Sequence, residues 1–135
     1  MAAQVDYISK TKNRVVVKYT SDNSGGDVNF NIGPSAFGPT NGDFATSGLT
    51  YTSASLSRIY YSTGGTGGYV ALNFVGSSIN QSIWIVPSDD SGEINFERMT
   101  IPNGSTGGTG YAQFDNNLTN TKEAVIIAEF VTHHV

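Results

Sequence analysis

The chain has 135 residues, 38% hydrophobic and 13% charged, with a net charge of −4, sixteen Gly and no Cys. That length fits one domain, 1–135, and leaves no room for a second core. Without Cys there is no disulfide framework, Cys-ligated zinc or thiol nucleophile, and an acidic balance disfavours nucleic acid, which needs clustered Lys and Arg.

Charged residues reach only about half of their usual ~25% share. Hydroxyls, amides and backbone must therefore wet the surface. Ser, Thr, Asn and Gly, which dominate the chain, compete with or weaken helical hydrogen bonding, so the expected class is all-β.

Val5–Ser9 and Arg14–Thr20 are β-branched and aromatic runs joined by the short polar link Lys10-Thr11-Lys12-Asn13, which predicts two opening strands. Val15, Val17 and Tyr19 fall on one face and Val16, Lys18 and Thr20 on the other, the period of a half-buried strand. Four of the seven basic residues, Lys10, Lys12, Arg14 and Lys18, form a local basic edge here. Residues 1–12 are a candidate N-terminal attachment arm.

Asp22 to Gly26 is a turn, and Val28 to Ile32 alternates apolar residues with Asn as a third strand. From Gly33 to Thr50 the chain is rich in Gly, Pro, Asn and Ser, with Phe37, Phe44 and Leu49 isolated within it. A loop of that length is uncommon in a compact domain and points to a binding surface. The alternative is that its two Phe pin a long crossover to the core.

Strands are then expected at Ala54–Ser62, Tyr69–Val75, Ser82–Val86, Gly92–Ile101, Tyr111–Asp115 and Ala124–Thr132, giving eight or nine in all. Short strands closed by Gly, Asn or Pro chemistry indicate a sandwich or barrel. The last strand is apolar on both faces, as in a strand central in a sheet or covered by a partner. The runs Ser62–Tyr69 and Ser105–Tyr111 repeat a Gly-rich pattern, read as two hairpin loops.

Neither Gly-rich run continues into Lys-Ser/Thr or opens a helix, so a phosphate-binding loop lacks its context. Asp89, Asp90 and Glu93 cluster on one turn and Asp115-Asn116-Asn117 on another, but without the ligand spacing of an EF-hand; exposed acidic turns are expected. His133 and His134 are adjacent, so on a strand they face opposite sides and cannot share a metal without a kink. No catalytic residue, cofactor or metal is assigned, and the chain is read as a non-enzyme. The Asn-x-Ser/Thr triplets at Asn80, Asn103 and Asn117 are expected by chance in this composition.

Met1 to Tyr7 lacks a positive region followed by an apolar run, and no stretch approaches the ~18 apolar residues of a membrane span. A soluble chain made in the cytoplasm is expected, with no membrane partner. Tyr51, Tyr60, Tyr61, Tyr69, Trp84 and Tyr111 lie on or beside strands. Tyr among Ser, Gly and Asn is the composition of recognition surfaces, and the same rings can stack on sugars.

The order Ile59-Tyr60-Tyr61-Ser62, Gly-rich turn, Val70-x-Leu72-x-Phe74-x-Gly76, then Ile101-Pro102-Asn103-Gly104, Gly107-Gly108-Thr109-Gly110 and the strand Val125 to Phe130 resembles the small virion structural proteins of tailed bacteriophages. The likeness spans roughly residues 55 to 132. It implies an antiparallel β-sandwich, jelly-roll-like, that decorates or cements the head or sits in the neck, tail or baseplate. The partners it implies are the major capsid protein or other virion proteins, with many copies or a homo-oligomer in the particle. Lys10, Lys12, Arg14, Phe37, Phe44 and Tyr51 are the candidate partner-binding residues, and a carbohydrate-binding sandwich is the rival expectation.

Overall fold

The computed structural model describes residues 3–11, 14–31, 51–76, 81–96, 101–102 and 108–134. Strands β1 (Ala3–Lys10), β2 (Arg14–Ser21), β3 (Val28–Asn31), β4 (Tyr51–Thr63), β5 (Tyr69–Gly76), β6 (Gln81–Pro87), β7 (Ser91–Asn95), β8 (Ile101–Pro102), β9 (Gly108–Asn116) and β10 (Ala124–His134) follow in order. They make two sheets. One runs β1-β2-β10-β4-β7, with β8 also paired to β4; the other runs β3-β9-β5-β6.

The pairing is nested. Innermost, β5 pairs with β6; moving outward along the chain, β4 pairs with β7 and β8, β3 with β9, and β2 with β10, all antiparallel. Successive pairs alternate between the two sheets, so a single long hairpin is wound around the core. This is the jelly-roll form of the antiparallel sandwich, with β1 added outside β2.

Period two explains what faces inward. On β2, Val15, Val17, Tyr19 and Ser21 are buried in alternation, as the sequence pattern requires. β10 runs between β2 and β4, which accounts for its apolar residues on both faces: Ala124, Ile126, Ala128 and Phe130 fill the core while Val125, Ile127 and Val131 lie on the outer side. Aromatic rings bridge the layers. Tyr19 stacks on Phe114 at 4.6 Å, Phe30 on Phe114 at 5.3 Å, and Phe130 meets Phe30 at 6.0 Å and Phe74 at 5.9 Å. Offset and tilted pairs of this kind add about 0.5–1.5 kcal/mol each beyond area burial.

Two expectations need correction. The single strand expected at Gly92–Ile101 is β7 and β8, both on β4, with the Phe96 amide donating to the Ser57 carbonyl at 2.7 Å just past β7; residues 97–100 lie outside the described residues. The run Ser62–Tyr69 is not a hairpin loop. It carries the chain from β4 in one sheet to β5 in the other, so it is an inter-sheet corner. It is zipped to the β9–β10 connection, another such corner, by bonds from Gly64 N to Glu123 O (2.9 Å), Thr66 N to Thr119 O (3.1 Å), Thr119 N to Gly67 O (3.0 Å) and Asn117 N to Tyr69 O (2.8 Å). Of the second Gly-rich run, Gly108 to Tyr111 belong to β9 and the rest lies outside the described residues.

Candidate functional site

The outer face of the six-stranded sheet is set by the same register that builds the core. Across it, Asp6, Lys18, Ile127, Tyr60 and Glu93 follow one another on β1, β2, β10, β4 and β7. The next row sets Val16 of β2 beside Glu129, Arg58 and Asn95. Between these rows a depression of about 410 Å³ is lined by Ile8, Val16, Arg58, Tyr60, Glu93, Ile127 and Glu129.

Ile8, two residues past Asp6 on β1, shares this face by the period of two and sits at an irregularity. The β1–β2 register slips between Tyr7 and Ser9, leaving Ile8 as the extra residue, 56% exposed. Bulges re-aim side chains and blunt edge strands against uncontrolled pairing. Tyr60 is 49% exposed on the far side of the depression. Ile8, Val16, Ile127 and the Tyr60 ring thus make an apolar strip across four strands, β1, β2, β10 and β4.

Charged side chains border the strip, Arg58, Glu93 and Glu129 among them. Arg14 makes an ion pair with Glu129, whose side chain is only 15% exposed; Lys18 stands cross-strand from Asp6. The Arg14–Glu129 pair lowers the cost of covering that part of the face with another protein, because neither charge is then buried alone. The turn before β2 is tied by the Thr11 amide to the Arg14 carbonyl at 2.9 Å and by the Arg14 amide to Thr11 Oγ1 at 3.1 Å, which fixes where Arg14 enters the sheet.

Of the sequence-derived candidates, Arg14 lies at the edge of this face. Lys10 ends β1 and Tyr51 opens β4, but their side chains, together with Lys12, Phe37 and Phe44, lie outside the described residues. Within the segment expected as an arm, Ala3–Lys10 lies along β2 as an edge strand. Ile8 and Ile127 escaped the sequence reading. The two-faced apolarity of β10 was the available signal for Ile127, and the period of two that sets Ile8 on the face of Asp6 was the signal for Ile8.

The acidic turns have structural work. The turn at Asp89 and Asp90 is bonded to the end of β4: Thr63 N donates to Asp90 O at 2.8 Å, Asp89 N to Gly64 O at 2.9 Å, and Thr63 Oγ1 to Pro87 O at 2.6 Å. Asp90 Oδ1 accepts from the Ser91 amide at 2.9 Å. In the second turn Asn116 is buried and fully engaged: its Nδ2 lies 2.9 Å from Lys122 O and 3.1 Å from Tyr19 Oη, and its Oδ1 accepts from Leu118 N at 3.1 Å. Among the described residues no three His, Cys, Asp or Glu converge as a metal site, and no helix is long and apolar enough to cross a membrane.

Comparison with protein-family models, curated proteins and solved structures finds no match to this chain. The class the geometry defines is an antiparallel jelly-roll sandwich with an apolar strip on its larger sheet.

Proposed function

We propose that this chain is a virion structural protein of a tailed bacteriophage, a capsid decoration subunit that binds the major capsid protein through the outer face of its six-stranded sheet and stabilises the head. One observation carries this reading: Ile8, Val16, Tyr60 and Ile127 form an apolar strip on the outer sheet face, bordered by charged side chains that include the Arg14–Glu129 ion pair. Apolar centre and polar rim are the anatomy of a protein interface. Support also comes from the resemblance over residues 55 to 132 and from the jelly roll itself, a frame shared by viral capsid and lectin domains. Because a fold hosts many functions, the site has to carry the assignment.

A role as one of many copies suits the composition. With 13% charged residues and a net charge of −4, neighbouring copies repel each other weakly. The chain would be made in the host cytoplasm and act in the virion, with no cofactor. Purified protein added to preformed capsids is the test: binding at a fixed stoichiometry supports the reading, and absent or unsaturable binding rejects it.

A carbohydrate-binding role is favoured by one feature, the half-exposed Tyr60 ring flanked by Arg58 and Glu93. Saturable glycan binding by the isolated chain, lost in Tyr60→Ala, would put that reading first.

A further inference from the structure

The outer face of the smaller sheet carries a row of side-chain amides. Asn29 of β3 stands opposite Gln113 of β9, Gln113 opposite Asn73 of β5, and Asn73 opposite Ser82 of β6. Asn73 Nδ2 donates to Gln113 Oε1 at 3.2 Å, which fixes both amide planes. Asn73 is buried, while Asn29 and Ser82 are exposed at the two ends of the row. Each amide offers donors and an acceptor side by side, and so does every hydroxyl.

The neighbouring rows make this face uneven. Ala71, between Asp115 and Ile85, is buried, whereas Ile85 is 54% exposed. One row further along, Tyr69 stands opposite Pro87 and is 40% exposed. From Tyr69 to Asn73 the face runs about 13 Å along β5, at ~3.3 Å per residue, with an aromatic ring at one end, a small residue between and the fixed amides at the other. The charged residues flanking the amide row along the chain are acidic: Asp27, two before Asn29, and Asp115, two after Gln113. Acidic groups accept from hydroxyls and repel anions, so the chemistry of this face matches a neutral polyhydroxyl ligand rather than a polyanion.

We propose that this face is a carbohydrate site: Asn29, Gln113 and Ser82 hydrogen-bond the hydroxyls of a neutral oligosaccharide that reaches from the amide row to Tyr69, whose ring packs against a sugar face, while Asn73 holds the Gln113 amide in place. An amide already fixed by its neighbour loses little freedom on binding, which favours affinity at a shallow polar face. The Tyr69 ring adds contact area at low entropy cost. This site is separate from the depression beside Tyr60. The two sheets turn their outer faces in opposite directions, so a subunit docked through the larger sheet points the amide row away from the docked surface.

Titration of the ¹⁵N-labelled full chain with neutral oligosaccharides of glucose, of mannose and of N-acetylglucosamine tests this. At least one of the three should shift the side-chain amide signals of Asn29, Asn73 and Gln113 saturably. Gln113→Ala, Asn29→Ala and Tyr69→Ala should each weaken that binding at least tenfold, whereas Tyr60→Ala on the opposite face should leave it unchanged. Asn29 and Tyr69 are exposed, so their variants keep the fold and carry the test even where Gln113→Ala lowers the urea midpoint. Absence of saturable shifts with all three sugars, shifts confined to the surroundings of Tyr60, or undiminished binding by the Asn29 and Tyr69 variants would each overturn the proposal. Capsid binding by the same variants reports on the larger sheet alone, so the two readings can fail separately.

Discussion

Asn116 Nδ2 donates to Tyr19 Oη at 3.1 Å, and Tyr19 in turn donates to the Gly26 carbonyl at 2.9 Å, so a buried amide at the end of β9 is coupled through a phenol on β2 to the turn before β3. One sheet is thereby tied to the other by polar contacts beneath the stacked Tyr19 and Phe114 rings. Burial raises the Tyr19 hydroxyl above its ordinary pKa, with the bonds from Asn116 and Ser21 opposing that shift. The phenol therefore stays protonated and remains a donor.

Replacing Asn116 by Leu should be among the most damaging single changes in the chain. It strands the Lys122 carbonyl, the Leu118 amide and one side of Tyr19 Oη. A buried group left unsatisfied costs about 1–3 kcal/mol, so a loss of about 3 kcal/mol is expected in urea unfolding. Tyr19→Phe removes only the hydroxyl and should cost about 1–2 kcal/mol. Combined, the two losses should fall short of additive, since both break the same Asn116–Tyr19 bond.

Gly68 is the second sensitive point. Its φ is +79°, and a Cβ there would lie 2.0 Å from the Asn117 carbonyl oxygen, in the zipper that joins the two inter-sheet corners. A left-handed conformation alone costs a non-glycine residue about 1–2 kcal/mol. Since the clash is with backbone, Gly68→Ala should lose about 3 kcal/mol or more by the large-loss mechanisms of strain and overpacking. Gly26 has nothing within 4 Å of its added Cβ and serves as the control; Gly26→Ala should lie within about 0.5 kcal/mol of the parent.

Much of the sandwich was legible because burial on one side leaves a period-two trace. Val15, Val17 and Tyr19 are an instance, and the two-sided apolarity of β10 announced its central place. Nested pairing was not legible in the residues themselves: alternation says which face is buried, never which strand lies alongside. The first Gly-rich run misled for a related reason. Positive φ at Gly65 and Gly68 serves an inter-sheet corner as well as a hairpin. Asn116 was hidden in an Asp-Asn-Asn run that reads as a solvated turn, because only the tertiary fold decides which of three polar neighbours is buried. On the outer face of the six-stranded sheet, Tyr60 and Arg14 were visible as residues, but the strip joining β1 to β4 exists only through register.

Acid should weaken the turn after β2. Asp22 Oδ1 accepts from the Ser24 amide at 2.9 Å and from Ser24 Oγ at 3.0 Å, and the amide bond chiefly holds this carboxyl below its ordinary pKa. A lowered carboxyl contributes stability above its unfolded pKa, and that contribution is lost as pH falls through the folded value. Asp22→Asn keeps an oxygen acceptor but no titration. Its stability should therefore change less between neutral and strongly acid pH than that of the parent, as read by urea midpoints; an identical pH dependence in the two would refute this role.

Charges placed on the proposed docking face should separate interface from fold. Tyr60 and Ile127 are neighbours on β4 and β10, and both project from the sheet away from the core. Tyr60→Asp and Ile127→Asp place a charge on the apolar strip without entering the Phe114 and Phe130 cluster, so thermal unfolding should shift by no more than the equivalent of about 1 kcal/mol for such surface changes. Capsid binding should fall far more steeply, since a charge in the desolvated centre of an interface finds no partner; a loss of at least tenfold, about 1.4 kcal/mol, is expected in sedimentation assays. Arg14→Ala calibrates the rim. It removes the partner of the largely buried Glu129 carboxylate and should lower stability by about 1 kcal/mol, in the range of partly exposed ion pairs, while weakening capsid binding less than either Asp variant. Undiminished binding by Tyr60→Asp and Ile127→Asp, with the fold intact, would move the capsid contact off this sheet altogether.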